Sequence, residues 1–91
     1  MLVLISYDIA DEKRLRKVAI LMEDYGTRVQ RSVFECLIEE RQVLQLIDKL
    51  MKVIEPSEDS TRIYRFCGAC QERVQILGKG AVTNDPDVYI F

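Results

Sequence analysis

Met1-Leu-Val-Leu-Ile-Ser-Tyr-Asp-Ile-Ala10 opens the chain, and its reading decides the architecture. Leu2 to Ile5 is an unbroken apolar run with β-branched side chains, the pattern of a strand buried on both faces and flanked by a neighbour on each side. The run ends in Ser6-Tyr7-Asp8, and Asp11-Glu12 directly afterwards opens a helical pattern. Ligands of α/β sheets usually sit where a central strand ends and the chain turns into a helix. Asp8 therefore carries two readings: it caps the turn, or it binds a metal or handles protons.

Outward from that strand, the 91 residues make one small domain, 1–91, with a net charge of −2 from 13 basic and 15 acidic side chains. A purely electrostatic nucleic-acid binder is usually basic overall, so any such role requires a local patch. About half the residues are hydrophobic, enough for a core and enough to suggest apolar surface covered by a partner. No run approaches the ~18 apolar residues of a membrane span, and the apolar start has no basic leader; a cytoplasmic protein without membrane contact is expected. The odd count of three cysteines, Cys36, Cys67 and Cys70, argues against a disulfide framework. The chain has no histidine, which excludes a Ser-His-Asp triad or a His-based zinc site within one chain.

From Asp11 to Tyr25, Leu15, Val18, Ala19, Met22 and Tyr25 recur at helical spacing, and Gly26 suits a helix stop. Lys13, Arg14, Arg16 and Lys17 crowd the first turns and oppose the helix dipole. They form either an ordinary solvated face or a phosphate-facing patch beside Asp8. Thr27 to Ile38 is rich in strand formers. Its alternation falters at Arg31-Ser32, which predicts two short strands joined by a tight turn; without Gly or Asn there, one bent strand is the alternative. Phe34 suits the core, whereas Arg28, Arg31 and Ser32 fit an exposed or ligand-facing edge.

A second helix is predicted from about Glu40 to Ile54, with Val43, Ile47, Leu50 and Ile54 as its stripe, widened by Leu44, Leu46 and Met51. Pro56 and the polar Ser57-Glu-Asp-Ser60 end it. Thr61 to Phe66 alternates as a strand, with Arg62 and Tyr64 on one face and Ile63 and Arg65 on the other. Cys67-Gly-Ala-Cys70 is a lone CxxC, more consistent with two strand-end thiols than with zinc, which takes four ligands. A zinc shared between two chains is the residual alternative. Val74 to Leu77 and Val88 to Phe91 read as further short strands.

Strand, helix, strand, strand, helix, strand is the ferredoxin-like βαββαβ plan of an α+β domain, both helices on one sheet face. The other face lacks a cover. A second copy facing it, with the additional carboxyl-terminal strands reaching across to extend the partner's sheet, is the economical solution.

Tyr7-Asp8-Ile9, Arg14-Leu-Arg-Lys-Val-Ala19, Tyr25-Gly26, Arg28-Val-Gln-Arg-Ser-Val-Phe-Glu-Cys36 and Arg62-Ile-Tyr64 together resemble the small CRISPR-associated adaptation endonuclease family, partner of the CRISPR integrase. The resemblance runs nearly end to end. It implies a ferredoxin-like homodimer whose first-strand aspartates face each other and bind one divalent metal, usually magnesium, and metal-dependent phosphodiester cleavage of RNA or DNA in some members. In others the dimer chiefly bridges two copies of the integrase and supports captured spacer DNA. On the enzyme reading Asp8 is the metal ligand, and Asp8 and Tyr7 are the catalytic residues. Arg14, Arg16, Lys17, Arg28, Arg31, Ser32 and Phe34 are the candidate nucleic-acid-facing residues. The alternative is a structural bridge between integrase dimers with no catalysis.

Overall fold

The computed structural model describes residues 1–66 and 73–78. Five strands and two helices follow in the order β1 (Leu2–Asp8), α1 (Glu12–Glu23), β2 (Thr27–Gln30), β3 (Val33–Leu37), α2 (Glu40–Val53), β4 (Ser60–Phe66) and β5 (Arg73–Gly78). They form one antiparallel sheet in the order β2-β3-β1-β4-β5, so β1 is central, as its apolar run requires. The first four strands and both helices are ferredoxin-like, and β5 adds an edge next to β4.

Each element ends for an identifiable reason. Asp11 Oδ2 accepts a hydrogen bond from the Arg14 N–H at 3.0 Å and caps α1. The Gln42 side chain accepts from the Glu39 N–H at 2.9 Å, closing the first turn of α2. The β2–β3 hairpin turns at residues 31–32 without glycine. Its register shifts between Arg28 and Gln30, and this irregularity supplies the bend that a glycine turn would otherwise give.

Val3, Ile5 and Tyr7 of β1, Phe34 and Cys36 of β3 and Ile63 of β4 point to the helices. There they meet Val18 and Met22 of α1 and Val43, Leu46 and Leu50 of α2. The stripe of α2 is narrower than its composition suggests: Leu46 is in the core, but Leu44 and Met51 are exposed. On the opposite face Leu4, Val33, Tyr64 and Phe66 line a shallow apolar depression, and Leu37 is 79% exposed. No described element covers that face.

Two expectations need correction. The segment Val74 to Leu77 does not reach for another chain; it lies within β5 and pairs antiparallel with β4 of its own chain. Gly26 is not a left-handed helix stop, since Gly78 is the only described residue with positive φ. Gly26 is required by proximity: a Cβ there would overlap the Glu35 carbonyl oxygen and lie 2.6 Å from Cys36 Sγ. The CxxC and the expected last strand, Val88 to Phe91, lie outside the described residues.

Because backbone cannot yield as a flexible side-chain tip can, Gly26→Ala is expected to cost about 2 kcal/mol, lowering the melting temperature by roughly 10 °C. Calorimetry checks this, and an unchanged melting temperature would show that β2 can move away from β3.

Candidate functional site

Strand alternation sends the adjacent residues Tyr7 and Asp8 to opposite sides of the sheet. Asp8, exposed at the carboxyl end of β1, pairs with Ser60 of β4. It shares a depression of about 220 Å³ at the end of β1 with Ser6, Tyr7, Ser60, Arg62 and Tyr64. Arg62, which the sequence places on one strand face with Tyr64 and within the family match, is thereby placed beside the carboxylate.

The donors at this spot are hard oxygens: one carboxylate and the hydroxyls of Ser6 and Ser60. That chemistry fits magnesium, which is held by one or two carboxylates and keeps several waters, and does not fit zinc. No group of three or more His, Cys, Asp or Glu residues gathers among the described residues. Within this depression a single chain presents one carboxylate, that of Asp8.

Tyr7 lies in the other layer. Its ring stacks on Phe34 with centroids 6.2 Å apart and planes at 28°, and the Arg28 guanidinium carbon sits 5.5 Å from the Phe34 centroid. Burial raises the Tyr7 pKa, the nearby Arg28 charge opposes this, and Glu23 adds to the rise. The phenol stays neutral at physiological pH, and its buried hydroxyl lies close to the Arg28 guanidinium. The Tyr7 N–H donates to the Ser32 carbonyl at 3.0 Å and fastens the hairpin turn to β1.

That attachment builds a groove between α1 and the hairpin. Arg16, Arg28, Arg31, Ser32, Tyr7 and Glu12 line about 400 Å³ of it. Three cations from two separate segments thus converge, a surface suited to phosphates. Lys17 is exposed on α1 outside the groove lining. The basic patch does not lie beside Asp8 on one face, as the sequence suggests. Groove and carboxylate stand on opposite faces of the sheet, connected through β1.

Two candidate contacts are placed differently from expectation. Phe34 is fully buried, so it supports Tyr7 and Arg28 from below and presents no surface of its own. Arg14 turns away from the groove: its Nε donates to Asp59 Oδ2 at 2.8 Å, and its Nη2 donates to Glu58 at 2.9 Å and to Asp59 Oδ1 at 3.2 Å. Asp59 has no accessible surface and also accepts from the N–H groups of Ala10, at 2.9 Å, and Glu55, at 2.8 Å. Burial alone would raise its pKa. The hydrogen bonds from Arg14, Glu55 and Ala10 outweigh that cost and hold the carboxyl below the usual carboxylate range. Sequence reading missed Asp59, because it sits in the polar Pro56–Ser60 stretch that only marks a helix end.

Two expected outcomes follow from these placements. Replacing both Arg16 and Arg31 with Ala should weaken binding to all duplex sequences alike and reduce the salt slope by about 2 per chain. A sequence-selective loss at unchanged slope would assign them another role. A carboxyl that is more acidic folded than unfolded contributes stability in full above its unfolded value, about 4, and loses it as pH falls through the folded value. Asp59→Ala should therefore cost about 2–3 kcal/mol at neutral pH and flatten the acid-side fall in melting temperature. Parallel acid limbs for parent and variant would locate the sensitivity elsewhere.

The family model described as "CRISPR associated protein Cas2" matches residues 1–74. Over the full length of both chains, the sequence is 46% identical to CRISPR-associated endoribonuclease Cas2 1 of Chloroflexus aurantiacus. It is 41% identical, again over both full lengths, to CRISPR-associated endonuclease Cas2 of Halalkalibacterium halodurans. The crystal structure of Streptococcus pyogenes Cas2 superimposes with a TM-score of 0.68 at 42% identity, covering 74% of this chain and 87% of that one. Fold, matched residues and full-length identity agree: this chain belongs to the CRISPR-associated Cas2 family and is a component of CRISPR adaptation.

Proposed function

We propose that the chain acts as a homodimer that holds nucleic acid by its phosphates within the adaptation complex, next to the integrase, and hydrolyses phosphodiesters with magnesium or another divalent metal at Asp8. The observation that carries this reading is the exposed Asp8 carboxylate at the rim of an uncovered apolar sheet face. Pairing two copies through Leu4, Val33, Tyr64 and Phe66 covers that face and supplies the second Asp8. A bound magnesium ion provides the charge that polarises a phosphate oxygen and acidifies attacking water. The chain's own residues do the rest: Asp8 holds the ion, Arg62 offers a cation to the phosphate, and Arg16, Arg28 and Arg31 fasten the flanking backbone. Tyr7 carries no proton in this scheme, since its buried phenol points away from Asp8; it shapes the groove wall.

The scarcity of carboxylates favours a second reading, in which the dimer bridges integrase copies and supports spacer DNA without catalysis. The relatives are named both endoribonuclease and endonuclease, so the test uses RNA and DNA duplexes and single strands, each with and without magnesium, alongside Asp8→Asn. Hydrolysis that needs magnesium and disappears in Asp8→Asn, with the parent sedimenting as a dimer, supports the enzyme. Binding retained in both proteins with no cleavage of any substrate favours the bridge. A monomer at micromolar concentration would overturn the shared site.

A further inference from the structure

We propose that Arg14 and Asp59 are positioning residues for Asp8, and that Arg14 serves the site through this tie and not through a phosphate. The inference rests on reading Asp8 as a metal ligand.

Asp59 lies next in chain to the strand partner of Asp8 and bonds the backbone just after Asp8. Along the chain, two residues after Asp8, the Ala10 N–H donates to Asp59 Oδ1 at 2.9 Å. Across the sheet, Asp8 pairs with Ser60, the residue that follows Asp59. The strand end and the first residues of the β1–α1 connection are thus both referred to one buried side chain.

Asp59 is itself held from two more directions. Its Oδ2 accepts from Arg14 Nε and from the Glu55 N–H, each at 2.8 Å, and its Oδ1 also accepts from Arg14 Nη2 at 3.2 Å. Both oxygens therefore receive two donors, from α1, from the β1–α1 connection and from the connection that follows α2. The Arg14 side chain is 25% exposed, and its remaining short contact goes to Glu58. A guanidinium engaged by two carboxylates has little left for a phosphate, unlike Arg16 across the same helix. Groups that touch no ligand but fix the orientation of one that does commonly change metal affinity by about 10-fold or more.

The test compares the parent with Arg14→Gln, Arg14→Lys, Asp59→Asn and the double variant Arg14→Gln/Asp59→Asn. Manganese serves as a paramagnetic probe, with amide exchange at residues 9–11 and duplex binding against salt as further readouts. In Arg14→Gln we expect about 10-fold weaker manganese binding, faster exchange at Ala10, which Arg14 does not touch, and an unchanged salt slope. Arg14→Lys should recover part of the affinity. The double variant should lose little more than either single one, since both act through one connection. If Asp59→Asn does not fold, Arg14→Gln carries the test, because it leaves the Asp59 bonds to Ala10 and Glu55 in place.

Unchanged manganese affinity with a salt slope reduced by about 0.9 per chain would make Arg14 a phosphate contact and overturn the tie. Lower melting temperature with unchanged affinity and unchanged Ala10 exchange would reduce it to a structural clamp. A parent that binds no manganese would remove the metal reading of Asp8 and this inference with it, an outcome distinct from variants that bind as the parent does.

Discussion

Consecutive residues of β1 must point to opposite sides of the sheet, and β1 is paired along its length with β3 on one side and β4 on the other. A slip of one residue would expose Val3, Ile5 and Tyr7 and drive Asp8 into the core, stranding a charge in an apolar interior. The pairings of Ile5 with both Phe34 and Ile63 therefore fix more than the core. They decide that the aromatic layer under α1 and the carboxylate on the uncovered face belong to neighbouring residues whose side chains leave the strand in opposite directions. Groove and acid are separated by the thickness of one sheet.

How much of this the sequence discloses depends on how far apart the interacting residues are. The apolar run at Leu2 to Ile5, the helical spacing of Val18 and Met22, and the alternation around Ile63 are local patterns, and each element lies within a residue or two of its expected place. The hairpin between β2 and β3 was legible from a stumble in alternation alone. Phe34 was legible as core from its size. Arg14 was not legible: a cation on a basic helix looks identical whether its partner is phosphate or a carboxylate 45 positions later. Asp59 was hidden for the complementary reason, since a loop aspartate shows its worth only when four donors from three separate residues, Ala10, Arg14 and Glu55, converge on it. Gly26 was noticed, but for the wrong cause; the close approach of Glu35 and Cys36 is a tertiary fact that helix-ending rules do not contain. Residues 67–72 and 79–91, including the CxxC, fall outside the described residues.

The two sides of the sheet also make different demands of a ligand. The groove offers Arg16, Arg28 and Arg31 from two segments and asks only for regularly spaced negative charge. The acid side offers Asp8, two hydroxyls and Arg62, too little for two-metal chemistry within one chain. On the proposed reading the surface that holds nucleic acid is complete in each subunit, whereas the surface that cleaves it is assembled only by pairing. Binding and hydrolysis would then depend differently on protein concentration.

The closeness of Gly26 to Cys36 has a chemical side. Burial, with a smaller push from Glu35, raises the Cys36 pKa to about 11. At neutral pH only about one thiol in ten thousand would be ionised, and the thiolate is the form that alkylates and oxidises. Buried in the core between β3 and the helices, Cys36 is thus held as an unreactive thiol while that core stays closed, and becomes an ordinary reactive cysteine once it opens. Its rate of modification would act as a clock for opening of the core, read from the strand that carries Phe34 and so from the floor of the basic groove.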